Sequence, residues 1–161
     1  MAGSVSPPTA RAKSHAPRAL LDVNVLIALL DPEHASSARA HEWFAAHQGG
    51  VATCPIVQNG VVRILSQPAY SKNTQYAVQS MVQLVRDFCA ATDHQFWPDS
   101  VALIDEQVFD DSRLRGHRQI TVAYLLALAV ANGGQLVTFD SAIAATAAVV
   151  RGANATNVTV L

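Results

Sequence analysis

Cysteine, aromatic residues and charge are scarce in this chain of 161 residues, and each scarcity closes off a class of protein. Its two cysteines, Cys54 and Cys89, stand far apart in no metal-binding or redox spacing. That excludes a disulfide-stapled scaffold and a zinc module, and reads as reduced, buried thiols of a cytoplasmic protein. Charged residues make up 14% of the chain and the formal net charge is −1. The whole-molecule field therefore attracts neither nucleic acid nor an anionic membrane, and any anion site must be local. No apolar run reaches about 18 residues, so no membrane span is expected. No glycine-rich phosphate loop, internal repeat or dividing linker is present. What is plentiful is Ala, Val and Leu: hydrophobic residues make up 50% of the chain, an ordinary α/β composition. At this length a single domain buries a real core without staples.

Residues 1–18 carry Pro, Ser, Ala and basic residues but no acid and no apolar periodicity. Such a segment does not bury enough surface to offset its ordering entropy, so a disordered extension is expected ahead of a domain at 19–161. It also lacks the apolar core of a secretory signal.

The domain is organised around Leu20 to Leu30, a short apolar strand running into an apolar helix with Asp22 at the crossover. Parallel α/β folds place their chemistry there, because the carboxyl ends of the strands open into a crevice lined by helix N-termini. Taken alone, Asp22 is explained by a helix cap, the commoner use of an aspartate at such a position.

Further along, a helix is expected up to about His47, a strand at Val51–Thr53, and a helix from Ile56 to Leu65 with Pro55 in its first turn. A longer helix is expected from about Asn73 to Ala91, then a strand near His94–Pro98 and a weak helix through Val101, Leu103 and Ile104, capped by Asp99 or Ser100. Ile120–Val130 reads as a helix buried on most sides. Gln135–Asp140 reads as a strand ending in an acid, Ser141–Val149 as an Ala-rich helix, and Val158–Leu161 as a last strand. Strands alternating with helices predict an α/β domain with a mostly parallel central sheet flanked by helices on both faces.

Asp140 repeats the pattern of Asp22: each ends an apolar strand and precedes a helix. In a parallel sheet both carboxylates open on the same edge, so they converge despite their distance in sequence. Hard cations such as Mg²⁺ are often held by one or two carboxylates, with water and phosphate oxygens completing the shell. The pair therefore suits phosphate-ester chemistry. Phosphoaspartyl hydrolases and receiver domains also place an Asp after their first strand, but they need a late lysine. The lysines here are Lys13 and Lys72.

Four blocks, Leu21 to Leu26, Cys54 to Leu65, Gly116 to Thr121 continued by Ala123 to Ala129, and Leu136 to Asp140, resemble PIN-domain proteins. They look most like the VapC-type toxins of bacterial toxin–antitoxin pairs, and the resemblance spans residues 19–161. It implies a PIN-like fold and a Mg²⁺- or Mn²⁺-dependent endoribonuclease acting on RNA in the cytoplasm, paired with itself as a homodimer and neutralised by a small antitoxin. On that reading Asp22 and Asp140 are the catalytic metal ligands. Asn24 and Thr138 orient carboxylates, Thr138 that of Asp140, and Gln58 stands where a third ligand normally does.

Two positions depart from the family pattern. The acid usual in the helix after Cys54-Pro55 is Gln58 here, and the acid usual after the Thr of the Gly-His-Arg block is Val122. No acid lies between Glu42 and Asp87 or between Asp111 and Asp140, so no shift of register restores either. Gln58 retains an amide that can orient a water, whereas Val122 offers neither charge nor hydrogen bond. Reduced metal affinity and activity follow, and the alternative is a catalytically degenerate PIN-fold protein that binds RNA or an antitoxin without cleaving. A general phosphohydrolase is a third reading. Asp105, Asp110 and Asp111 of the preceding loop are the candidate substitutes for the missing ligand, a solvated loop acid being the commoner case.

Arg113, Arg115, His117 and Arg118 form the densest basic cluster. Arg115, His117 and Arg118 are candidates for positioning RNA phosphates without reading sequence. Ion pairs to Asp110 and Asp111 in a solvated loop explain the cluster as well. Trp43, Phe44, Phe96 and Trp97 read as core or interface residues, and His34, His41 and His47 as surface residues of one helix.

Overall fold

Three apolar residues in a row, Ala19–Leu21, form β1 and are wholly shielded from solvent. Burial on both faces is what a central strand of a parallel sheet demands, because helices cover each side. The computed structural model describes residues 16–161. In it β2 (Val51–Thr53) and β4 (Gln135–Thr138) pair with β1, while β3 (His94–Phe96) and β5 (Val158–Val160) lie at the edges. The spatial order of the five strands is β3-β2-β1-β4-β5, and every pairing is parallel.

The crossovers are made by α1 (Val23–Leu30), α2 (Ser37–Ala46), α3 (Pro55–Leu65), α4 (Val78–Ala91), α5 (Ile120–Ala131) and α6 (Ile143–Ala147). The first four pack on one another, whereas α5 packs on α6, β4 and β1. Right-handed crossovers put these two groups on opposite faces, since the chain moves one way from β1 to β3 and returns across the sheet to β4. The expected fold class is thus the observed one. Val25–Leu29 of α1 and most of α5 are buried, so the apolar runs of the sequence form the two helices nearest the sheet. None of the described helices is long and apolar enough to cross a membrane.

Several boundaries differ from expectation, and for α4 and α6 a local side-chain bond is the cause. Helix α4 begins at Val78 rather than Asn73, because the Ser71 hydroxyl accepts the backbone N–H groups of Asn73 and Thr74 and turns that stretch into a loop. No helix forms through Val101–Ile104. A turn closes from Asp105 N–H to the Ala102 carbonyl, and Ile104 is 92% exposed. Strand β4 stops at Thr138, two residues before Asp140. Helix α6 is shortened because Asp140 Oδ1 accepts the Ala142 N–H at 2.8 Å. His34 precedes α2 instead of lying on it.

Of the expected extension at 1–18, residues 1–15 lie outside the described residues. Its last two belong to the folded body. Pro17 offers its carbonyl to Gln135 Nε2, and the Arg18 guanidinium binds Asp93 Oδ1 at 2.9 Å and the carbonyls of Val51 and Asp93.

Candidate active site

Strand order reverses between β1 and β4. From β1 the chain next adds β2 on one side, and only later β4 on the other. A crevice opens at the carboxyl ends of two such strands because their crossovers run over opposite faces. Asp22 follows β1 directly and Asp140 follows β4 closely, and both line a cavity of about 370 Å³ there. Asn24, Arg118, Thr121, Val122, Thr138 and Phe139 complete its wall.

Asp22 is both the helix cap and a member of the pair. Its Oδ1 accepts the Val23 N–H at 2.7 Å at the start of α1, and its Oδ2 accepts the Thr138 hydroxyl at 2.6 Å. Register explains the second bond. Leu21 pairs with Val137, and the Asp22 N–H donates to the Val137 carbonyl at 2.9 Å, so Thr138 arrives beside Asp22. The hydroxyl was expected to hold the carboxylate of Asp140; instead it holds that of Asp22 and accepts the Asp140 backbone N–H at 3.1 Å. Burial pushes the Asp22 carboxyl above its ordinary value and the charge of Asp140 adds to this, against the opposing hydrogen bonds from Thr138 and Val23.

This chemistry fits a hard cation. The acids lining the cavity are Asp22 and Asp140, each Asp22 oxygen keeps a lone pair beyond its one hydrogen bond, and the charge of Asp140 adds to the cost of ionising Asp22, which a cation would offset. Among the described residues no three His, Cys, Asp or Glu side chains converge. The cation would therefore rest on Asp22 and Asp140, with water and substrate oxygens as its other ligands.

The other sequence candidates divide. Val122 is 7% exposed in the first turn of α5, with its side chain in the cavity wall. Asn24 lines the cavity from α1 without a side-chain hydrogen bond among the described residues, so an orienting role for it gains no contact. Gln58 is turned elsewhere. Its Nε2 donates to Thr53 Oγ1 at 3.0 Å, which also lies 2.8 Å from His94 Nε2. It lines a separate groove of about 770 Å³ between α3 and α4, together with Arg63. The buried Thr53 hydroxyl needs partners, and this need sets the direction of the Gln58 amide. Asp105, Asp110 and Asp111 stay outside the cavity; Asp110 is bound by Arg113 at 2.9 Å and by Ser112.

Of the basic cluster, Arg118 reaches the cavity wall and Arg113 is used in its ion pair. Arg115 and His117 lie exposed on the adjoining loop. That loop is anchored because the Gln119 carboxamide accepts the Arg115 N–H at 2.7 Å and donates to Thr146 at 3.3 Å. Phe139 is a wall residue that sequence reasoning missed. Its ring packs with His34 and Arg39, which come from a distant segment, so only its position beside Asp140 could have marked it.

Fold and site together define a class: a doubly wound parallel α/β domain with paired carboxylates at its topological switch point. Residues 19–149 match the family model described as PIN domain, and the chain belongs to the PIN-domain family. Its relatives place it among the VapC-type members. It is 47% identical over 131 residues to Ribonuclease VapC44 of Mycobacterium tuberculosis, which covers 81% of this chain and 91% of the relative. It is 42% identical over 127 residues to Ribonuclease VapC39 of the same organism, covering 78% and 91%. Ribonuclease VapC29 matches at 42% over 125 residues, covering 78% and 87%.

Proposed function

We propose that this protein is a VapC-type toxin, an endoribonuclease that hydrolyses RNA phosphodiesters with Mg²⁺ or Mn²⁺ held by Asp22 and Asp140. The observation that carries this reading is the meeting of those carboxylates in one cavity at the β1–β4 switch point. A bound divalent ion would supply Lewis-acid activation of the phosphodiester and of the attacking water. The chain's own residues do the rest. Thr138 keeps Asp22 oriented, Asp140 supplies the second anionic ligand, and Arg118 meets the phosphate from the far wall, with Arg115 and His117 extending the basic track along the adjoining loop. Names of the relatives support RNA as the substrate, and their toxin class supports a small antitoxin as partner and the cytoplasm as the place of action. Pairing as a homodimer belongs to the same reading.

Activity is set low by Val122, whose side chain occupies the wall where a further carboxylate would face the cation. The same residue favours a second reading, a protein that binds RNA or its antitoxin without cutting. Cleavage of RNA by the purified chain in Mn²⁺ separates the two. Cleavage is expected, and Asp22→Asn should abolish it, while Val122→Asp should raise it by about tenfold or more, the scale of an added anionic ligand at a weak site. Wild-type protein that does not cut, beside an active Val122→Asp variant, would establish the binding protein instead. Cleavage indifferent to Asp22→Asn would refute both.

A further inference from the structure

The wall of the cavity beside Asp140 is aromatic. Phe139 is half-buried, and the Arg39 guanidinium carbon of α2 lies 4.9 Å from the centre of its ring. The His34 imidazole lies 6.4 Å from the same ring, inclined by 16°. The His34 ring is fixed in plane, because its Nδ1 accepts the Ser36 N–H at 3.1 Å. Arg39 is exposed and enters no ion pair among the described residues. A solvent-facing guanidinium held over a ring contributes little to folding, since water screens it and its ordering costs rotamer freedom. Its flat outer face is nonetheless what an unpaired base stacks on, as imidazole rings and guanidinium planes serve in single-strand recognition.

Electrostatics point the same way. The cavity floor carries two carboxylates and the molecule has no net positive charge, so an RNA strand is held only by local cations at the rim. Arg118 stands in the turn just before α5, on the same wall as Thr121 and Val122. Arg39, on α2, lies over the ring of Phe139, which lines the cavity next to Asp140 in the chain.

We infer that Phe139, with Arg39 and His34 stacked beside it, forms a platform for one unpaired nucleobase next to the scissile phosphate. The inference rests on the ribonuclease reading and assigns it a base subsite. Arg39 has two separable duties, charge toward a phosphate and a plane toward the base.

The test measures binding in EDTA, where no cleavage intrudes, to short oligoadenylate and oligouridylate strands and to a duplex of equal charge. Wild-type protein should bind single strands more tightly than duplex, and adenylate more tightly than uridylate, because purines stack better. Arg39→Ala and Phe139→Leu should each weaken single-strand binding about tenfold and remove the preference for adenylate. Arg39→Lys should keep the salt dependence and still lose the preference. Both Arg39 variants alter an exposed side chain, so thermal melting should match wild type. Equal adenylate preference in wild type and Arg39→Ala, or full recovery of it by Arg39→Lys, overturns the platform while RNA cleavage in Mn²⁺ keeps the ribonuclease reading. Absence of both RNA binding and cleavage in wild type overturns the two together.

Discussion

At the scale of single residues, Thr138 binds the two halves of the site. Its hydroxyl donates to the half-buried Asp22 carboxylate and accepts the backbone N–H of Asp140, so one side chain fixes both aspartates. Thr138→Val is nearly isosteric and leaves the Asp22 carboxylate short of a donor. It should cost about 1–3 kcal/mol of stability in denaturant unfolding and weaken Mn²⁺ binding by about ten- to a hundredfold. His94 adds one pH-dependent contribution to stability. Burial and the nearby Arg18 guanidinium hold its imidazole below the ordinary value of 6.5, and its side-chain hydrogen-bond partner is the uncharged Thr53 hydroxyl. The unfolded chain binds this proton at a higher pH than the folded one does. The His94 contribution is therefore complete above the ordinary imidazole value and is lost as pH falls below it. Thermal midpoints should decline from neutral pH toward about pH 5.5, and His94→Gln should flatten that decline.

At the scale of elements, close backbone approaches set the packing. A Cβ on Gly134, at the entrance to β4, would lie 2.5 Å from the Trp97 ring and 2.6 Å from the Arg18 carbonyl. Gly134→Ala should destabilise by about 1–3 kcal/mol, the usual cost of overpacking. Gly116→Ala, in extended backbone with nothing within 4 Å, should leave thermal melting unchanged. Strands and buried helices were legible because their signal is repeated apolar character: Ala19–Leu21, Val51–Thr53 and Ile120–Val130 all carry it. The late start of α4 and the shortness of α6 were not, because one hydroxyl and one carboxylate bonding to nearby N–H groups decide them. Periodicity does not register such bonds.

At the scale of the whole molecule, strand order does the chemical work. With β1 between β2 and β4, two aspartates far apart in sequence emerge side by side, and the repeated pattern of an apolar strand ending near an acid announced both. The direction of Gln58 was not announced. Which side of α3 meets α4 and which meets the sheet follows from three-dimensional packing, and the buried Thr53 hydroxyl captured the amide. The stack of Phe139 with Arg39 and His34 was equally hidden, since it joins the end of β4 to α2 and the turn before it across the sheet edge.

The most direct test of the paired-aspartate site is a Mn²⁺ titration followed by electron paramagnetic resonance on the wild-type chain and on Asp22→Asn and Asp140→Asn. One ion bound per chain in wild type, and binding lost in both variants, is the predicted result. A bound ion that survives both substitutions, or no bound ion in wild type at millimolar Mn²⁺, would contradict it.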